Sequence, residues 1–234
     1  EIKRMLHSTK SLKNKAVILF LSSSGVRRGA LPPLRIRDLE EMPHGCMQVT
    51  VYAADNEEYI TFINKEATQA LNLFIKKRKH QGEIITENSF VFPPTYKNLQ
   101  DSKHQVCETT LSNMIQRVKI SAGVNLDGCN NLLCHTFRRR FNTVLKLTPN
   151  SNSNLIERLM GHDMKLDNSY FQPTTEQLFE EYQKGMADLT IDDSERLLVE
   201  RDAMQIELTN LEEEKAHSKE LESRMSKYEQ NQDE

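Results

Sequence analysis

The run Ala16-Val-Ile-Leu-Phe-Leu-Ser-Ser-Ser-Gly-Val-Arg-Arg-Gly-Ala-Leu31 decides how the chain is read. Its opening, Ala16 to Leu21, is the longest purely apolar run of the sequence. That length suits a buried helix and is far too short to span a bilayer. The reading is a helix over Lys15 to Ser22 that stops at Ser23-Ser24-Gly25, because serines followed by glycine form a helix-end signal. Arg27 then projects from the turn into a second short helix around Arg28–Leu31, which Pro32-Pro33 interrupts or ends. An arginine presented there can clamp an anionic oxygen pair through its N–H fork.

Downstream of this run, Leu34 to Leu39 reads as an extended or short helical connection. Met47 to Tyr52 alternates apolar and polar residues, and Glu58 to Ile63 alternates again after the turn Ala53–Glu57. The pattern predicts a β-hairpin. Lys65 to Lys79 carries Ala67, Ala70, Leu71, Phe74 and Ile75 at helical spacing. Phe92 to Gln105 is polar and bears prolines, which marks a loop. Further helices are expected over Thr109–Ala122, His135–Leu147, Asn154–Met160 and Thr175–Tyr182, the middle two separated by a plain turn segment.

Four more residues carry chemistry. His135 and Arg138 stand in His-Thr-Phe-Arg, His162 follows Met160-Gly161, and Tyr170 precedes Phe171. A second arginine can share a phosphate with the first, histidines can hydrogen-bond it or carry protons, and a tyrosine oxygen can attack phosphorus. Taken singly, each has an ordinary structural role: a surface cap for Arg27, a satisfied core histidine for His135, a solvated basic face for Arg138-Arg139-Arg140, a loop anchor for Tyr170. None of those roles predicts the order Arg, His, Arg, His, Tyr.

That order resembles the tyrosine recombinase (phage integrase) family, and most of all its archaeal branch, over roughly residues 15–182. Gly25, Val26, Arg27, Leu31 and Leu34 match the family's first box, with Ala30 where the family often has glutamate. His135 and Arg138 match His-x-x-Arg. Leu159, Met160, Gly161 and His162 match the third box, with Tyr170 at the nucleophile's distance, and Phe171-Gln172-Pro173-Thr174 is similar to the archaeal variant. The resemblance implies a mainly α catalytic domain with a small antiparallel β-sheet, and Arg27, His135, Arg138, His162 and Tyr170 as the catalytic set. It implies attack by Tyr170 on a backbone phosphodiester of double-stranded DNA, leaving a phosphotyrosyl link and a free 5′ hydroxyl, with no metal and no cofactor. It also implies assembly of copies on DNA. A departure that matters more concerns the hairpin turn, where the family usually places a lysine to protonate the leaving oxygen. Here the turn reads Ala53-Ala54-Asp55-Asn56-Glu57-Glu58. Either another cation, such as Lys65, Lys97 or Lys103, reaches the site, or the reaction is slow. A type IB topoisomerase, a DNA-binding relative that does not cleave, and an interaction protein built on the C-terminal helix remain alternatives.

Composition bounds the remainder. The net charge is −3 over 234 residues, but residues 1–182 hold 24 Lys and Arg against 19 Asp and Glu, while 183–234 hold 7 against 15. A mildly basic body with an acidic tail is compatible with DNA contact through one face, since phosphate neutralisation is local. Cys46, Cys107, Cys129 and Cys134 show no Cys-x-x-Cys spacing, so neither a disulfide framework nor a zinc knuckle is expected. Reduced thiols of a cytoplasmic protein are. No secretory signal is visible and no membrane partner is expected. The chain starts at Glu1 rather than Met, which leaves room for a missing N-terminal domain. Two domains are expected, a catalytic domain over 1–182 and an acidic C-terminal helix over 183–234. In the latter Leu197, Met204, Leu211 and Met225 recur at seven-residue steps, imperfectly, with Arg201, Lys215 and Glu222 in the seam. A long helix that pairs with a second copy is the expectation.

Overall fold

The computed structural model describes residues 1–94, 105–124, 133–162 and 171–202, with 204, 205, 208, 209, 211 and 215 beyond them. At its centre lies helix α2 (Leu12–Ser24), from which Ala16 to Ser24 are all buried. Ser11 caps its start by accepting Asn14 N–H at 3.3 Å, which satisfies one of the orphan donors of a first turn. Gly25 ends it in the left-handed conformation at φ 63°, returning its N–H to the Leu21 carbonyl. Three serines follow the apolar run Ala16–Leu21 and close the helix, and each finds a partner. Ser22 and Ser24 hydroxyls donate back to the Leu19 and Phe20 carbonyls, and Ser23 Oγ accepts Asn64 N–H at 2.7 Å. A buried hydroxyl left unpaired costs about 1–3 kcal/mol.

Around α2 pack α1 (Ile2–Ser8), α3 (Lys65–His80), α4 (Glu108–Ser121) and α5 (Leu133–Leu147). The amphipathic spacing of α3 buries Ala67, Leu71 and Phe74 on one face. Asn64 caps this helix by accepting Ala67 N–H at 3.0 Å. Helices α6 (Ser153–Leu159) and α7 (Thr175–Lys184) pack against each other and against the sheet, and α8 (Met186–Leu189) closes the body. A reciprocal capping box, Thr174 with Gln177, starts α7.

The sheet is β1 (Leu39–Glu41), β2 (Met47–Val51) and β3 (Tyr59–Ile63), antiparallel in that order. The hairpin β2–β3 is the one read from the alternation, with Val49 opposite Thr61 and Val51 opposite Tyr59. Val49, Val51, Thr61 and Ile63 are buried on its core side, and Thr61 Oγ1 donates to the Ser24 carbonyl at 2.9 Å. That bond ties the sheet to the exit of α2. On the opposite face Phe62 is also buried, its ring centroid 5.0 Å from Phe179 and 5.6 Å from Tyr182 of α7.

Four elements differ from the sequence reading. Strand β1 occupies the end of a stretch read as a connection, α1 and α8 were not expected as helices, and α2 extends by a few residues at each end. The described chain forms two compact units, Glu1–Asp192 and Asp193–Glu234. In the second, residues 193–202 are helical, and Leu197, Met204, Leu208 and Leu211 are exposed. Met225 lies outside the described residues. No described helix is long and apolar enough to cross a membrane.

Candidate active site

The site grows from the exit of α2. A Cβ on Gly25 would stand 2.4 Å from Phe141 Cδ1, so only glycine admits both the left-handed turn and the approach of α5. That approach delivers Arg138, which is 6% exposed. Its Nη1 donates to the Gly25 carbonyl at 2.7 Å and its Nη2 to the Met160 carbonyl. Arg138 therefore joins the end of α2 to the end of α6. Burial, with the neighbouring Arg27 charge adding to it and Tyr59 opposing, lowers its affinity for the proton. A guanidinium nevertheless keeps its charge at any ordinary pH.

Arg27 follows in extended conformation and reaches the adjacent carbonyl, Nη2 to Gly161 at 3.2 Å. Its Nη1 lies 3.8 Å from Glu57 Oε2 at the hairpin tip, and its side chain is 42% exposed. Thus two guanidiniums bracket one peptide segment, Met160-Gly161, from two sides. Gly161 is left-handed at φ 61°, and a Cβ there would meet the Tyr59 ring at 2.4 Å. The close approach of α6 to the hairpin, not a loop preference, requires glycine.

Beyond Gly161 stands His162, half-buried, with Nδ1 against Glu157 Oε2. His135 is exposed on the first turn of α5, one turn before Arg138. Residues three apart on a helix share a face. Arg27, Arg138 and His162 thus converge on the α6 terminus, and His135 lies on the face of α5 that carries Arg138. Tyr170 lies outside the described residues. The carbonyl of the next residue, Phe171, accepts Arg158 Nη2 of α6 at 2.6 Å. Tyr182, which also follows His162 in the chain, is fully buried. Its hydroxyl is bonded to Ser23 Oγ at 2.9 Å, and burial raises its pKa well above 10. It is a core residue.

Three features were not read from the sequence. Tyr59 places a buried hydroxyl beside Arg138 without a well-aligned hydrogen bond. Burial raises its pKa, against the pull of the Arg138 and Arg27 charges. Tyr52 sits nearby at φ 55°, under the same two arginine charges. Glu57 faces Arg27 from the position where a lysine was sought. Lys65 does not take that lysine's place. It follows β3, whose Tyr59 end is the one near Arg27 and Arg138, so a five-residue strand, roughly 15 Å, separates it from them. Its side chain packs on Gly45, 3.2 Å from where a Cβ would sit. Lys97 and Lys103 lie outside the described residues. Among the described residues, no group of three or more His, Cys, Asp or Glu could hold a metal ion.

The helical body with its three-stranded sheet has the fold of tyrosine recombinase catalytic domains. It superposes on the crystal structure of XerA recombinase with a TM-score of 0.54 at 20% identity, covering 78% of this chain and 62% of that one. An integrase from mycobacterium phage Brujita gives 0.55 at 17%, covering 85% and 60%. XerH site-specific recombinase, in a pre-cleavage complex with its difH substrate, gives 0.54 at 17%, covering 73% and 47%. By sequence the chain is 24% identical over 188 residues to tyrosine recombinase XerA of Saccharolobus solfataricus, covering 80% of this chain and 55% of that protein. The sequence pattern of the phage integrase family matches residues 1–176, and the chain belongs to that family. It spans about half to three fifths of the length of these relatives.

Proposed function

We propose that this chain is the catalytic domain, over about residues 1–182, of a site-specific DNA recombinase acting in integration or excision. The observation that carries the reading is the pair Arg27 and Arg138, held on consecutive carbonyls of the α6 terminus. Two cations in mutual repulsion are costly unless an anion serves both, and one DNA phosphate does. Their positions are set before any substrate arrives, which is the condition for stabilising charge in a transition state without reorganisation.

In this reading Tyr170 Oη attacks the scissile phosphorus and the 5′ oxygen leaves with a proton from a general acid. The phosphotyrosyl bond conserves the free energy needed for rejoining, so no nucleotide cofactor enters. Arg27 and Arg138 hold the non-bridging oxygens, His162 holds the phosphate from another side, and His135 bonds the phosphate or takes the tyrosine proton. Double-stranded DNA is the substrate. Copies of the chain assemble on it, with the exposed Leu197, Met204 and Leu211 of the second unit as the pairing stripe. A cytoplasmic setting accords with the scattered thiols.

A second reading, a DNA-binding relative that does not cleave, is favoured by one observation: Glu57 faces Arg27 where a cation would be useful. Suicide substrates separate the two. Nicked duplexes with a randomised core would be incubated with the protein, and adducts resistant to denaturant would be recovered and sequenced. A recombinase enriches a defined site; binding without adduct supports the second reading. Adducts on every sequence, with relaxation of supercoils, would indicate a topoisomerase.

A further inference from the structure

Glu157 has no part in the scheme above, yet it holds one of its histidines. It lies on α6 five residues before His162, and its backbone carbonyl accepts the His162 N–H at 3.1 Å. Its side chain reaches two groups at once. Oε2 meets His162 Nδ1, and Oε1 meets Lys146 Nζ from the last turn of α5. Burial by itself would raise this carboxyl's pKa. Hydrogen bonds from Lys146 and His162 outweigh it and hold Glu157 below its usual value of 4.5.

An ionised carboxylate can only accept, so Nδ1 is the ring nitrogen that carries hydrogen. Which nitrogen of a neutral imidazole is protonated is set by the partner of the other. The peptide leading into the ring is fixed as well: Arg138 holds Met160, Arg27 holds Gly161, and Tyr59 wedges against Gly161. Backbone and Nδ1 are thus both anchored, which leaves Nε2 as the nitrogen with which the ring can meet a ligand.

We propose that Glu157, steadied by Lys146, is the positioning residue of His162. It fixes the ring as the Nδ1–H form and reserves Nε2 for the scissile phosphate. The proposal rests on the reading of His162 as a phosphate contact. When the phosphate arrives, a second proton taken from solvent at Nε2 lets the ring donate to a phosphate oxygen, while Glu157 neutralises the opposite edge. A carboxylate that sets the tautomer and orientation of a histidine has large kinetic weight in other active sites.

The test begins without DNA. Long-range 15N–1H spectra of the full chain report which ring nitrogen is protonated, with the His162 signals assigned by their loss in His162→Gln. The wild-type neutral ring is expected in the Nδ1–H form. Glu157→Leu should return it to the Nε2–H form that free imidazole favours, and Glu157→Gln, whose amide oxygen still accepts, should retain part of the Nδ1–H population. A wild-type ring in the Nε2–H form, or no change in Glu157→Leu, overturns the proposal. If Glu157→Leu does not fold, the wild-type and Glu157→Gln spectra decide. Because these spectra need no cleavage, they stand even if the recombinase reading fails. On a site that yields adduct, Glu157→Leu should slow its formation about tenfold or more, and Glu157→Gln less. Equal rates for all three proteins overturn the kinetic half.

Discussion

The two arginines of the site sit in contrasting surroundings. Arg138 is almost fully buried, bonded to the ends of two helices, and approached through a contact that only Gly25 permits. Arg27 is half-exposed, bonded once, and faces an acidic hairpin tip across 3.8 Å. One belongs to the floor of the site and is inseparable from the fold. The other belongs to its rim, where the chain departs from its family. Under the proposed function, the contrast teaches that the clamp is built into the fold, whereas the proton donor for the leaving oxygen is the open part.

The largest effect is expected at the floor. Arg138→Ala should cut adduct formation by about 10³-fold, the scale of losing a principal transition-state partner. Arg138→Lys should restore little, because a point charge cannot span two carbonyls and a phosphate. Burst amplitudes on a trapping substrate, alongside thermal melts, separate lost chemistry from lost fold. Should Arg138→Lys cleave normally, the floor is not a clamp.

Gly25→Ala comes next. A left-handed φ combined with a Cβ 2.4 Å from Phe141 should cost about 2–4 kcal/mol of stability, measured by denaturant unfolding. Gly82, also left-handed at φ 88° but open on all sides, is the control. Its alanine variant should lose about 1–2 kcal/mol, the backbone cost alone. Equal losses at the two positions would remove the close approach from the account.

At the rim the sign reverses. Glu57→Lys replaces the acid facing Arg27 with a candidate proton donor at the hairpin tip, and adduct formation should rise about tenfold, short of the roughly 10²–10⁴-fold of a fully positioned general acid. A 5′-phosphorothiolate substrate, whose sulfur leaves without needing a proton, should abolish that gain. A rise that persists on the sulfur substrate would show that Glu57 acts by repelling DNA instead.

Smaller effects follow from Glu157 and the tail. The Glu157 carboxyl, with its folded pKa depressed, contributes stability that is fully present above the unfolded value near 4.5 and is lost as pH falls through the folded value. Melting temperatures of Glu157→Gln should therefore change less on acidification below pH 4.5 than those of the wild type. Parallel acid limbs would refute the linkage. Deleting residues 193–234 should lower self-association in sedimentation while leaving cleavage by the body nearly unchanged. Masses that fall only by the deleted residues would mean the exposed leucines pair with nothing.

The difference between floor and rim also explains what could be read from sequence. The exit of α2, the β2–β3 hairpin and the helix that carries Arg138 follow from local signals: apolar period, a stop at glycine, alternation. Strand β1 was missed because Leu39-Glu40-Glu41 has no pattern of its own and is recruited by the free edge of β2. Helix α1 is seven residues long, and its inward Ile2, Met5 and Leu6 span little more than one turn, too short a stretch to establish a period. Tyr59 could be placed on a strand, but its pairing with Arg138, far along the chain, depends on tertiary packing. Glu157 lies on a helix that was read correctly; nothing in its spacing singled out its contact with His162 and with Lys146 of another helix. Lys65 is one of the cations the sequence leaves open as a proton donor, and the length of β3 carries it away from the arginines.

The central claim is that this body cleaves DNA through Tyr170. Protein captured on an enriched nicked duplex would be digested with trypsin and nuclease, and the nucleotide-bearing peptide identified by mass spectrometry. The account predicts a peptide containing Tyr170 with the nucleotide on its phenol, and no adduct from Tyr170→Phe at unchanged DNA affinity. A nucleotide on any other residue, or adduct persisting in Tyr170→Phe, would contradict it.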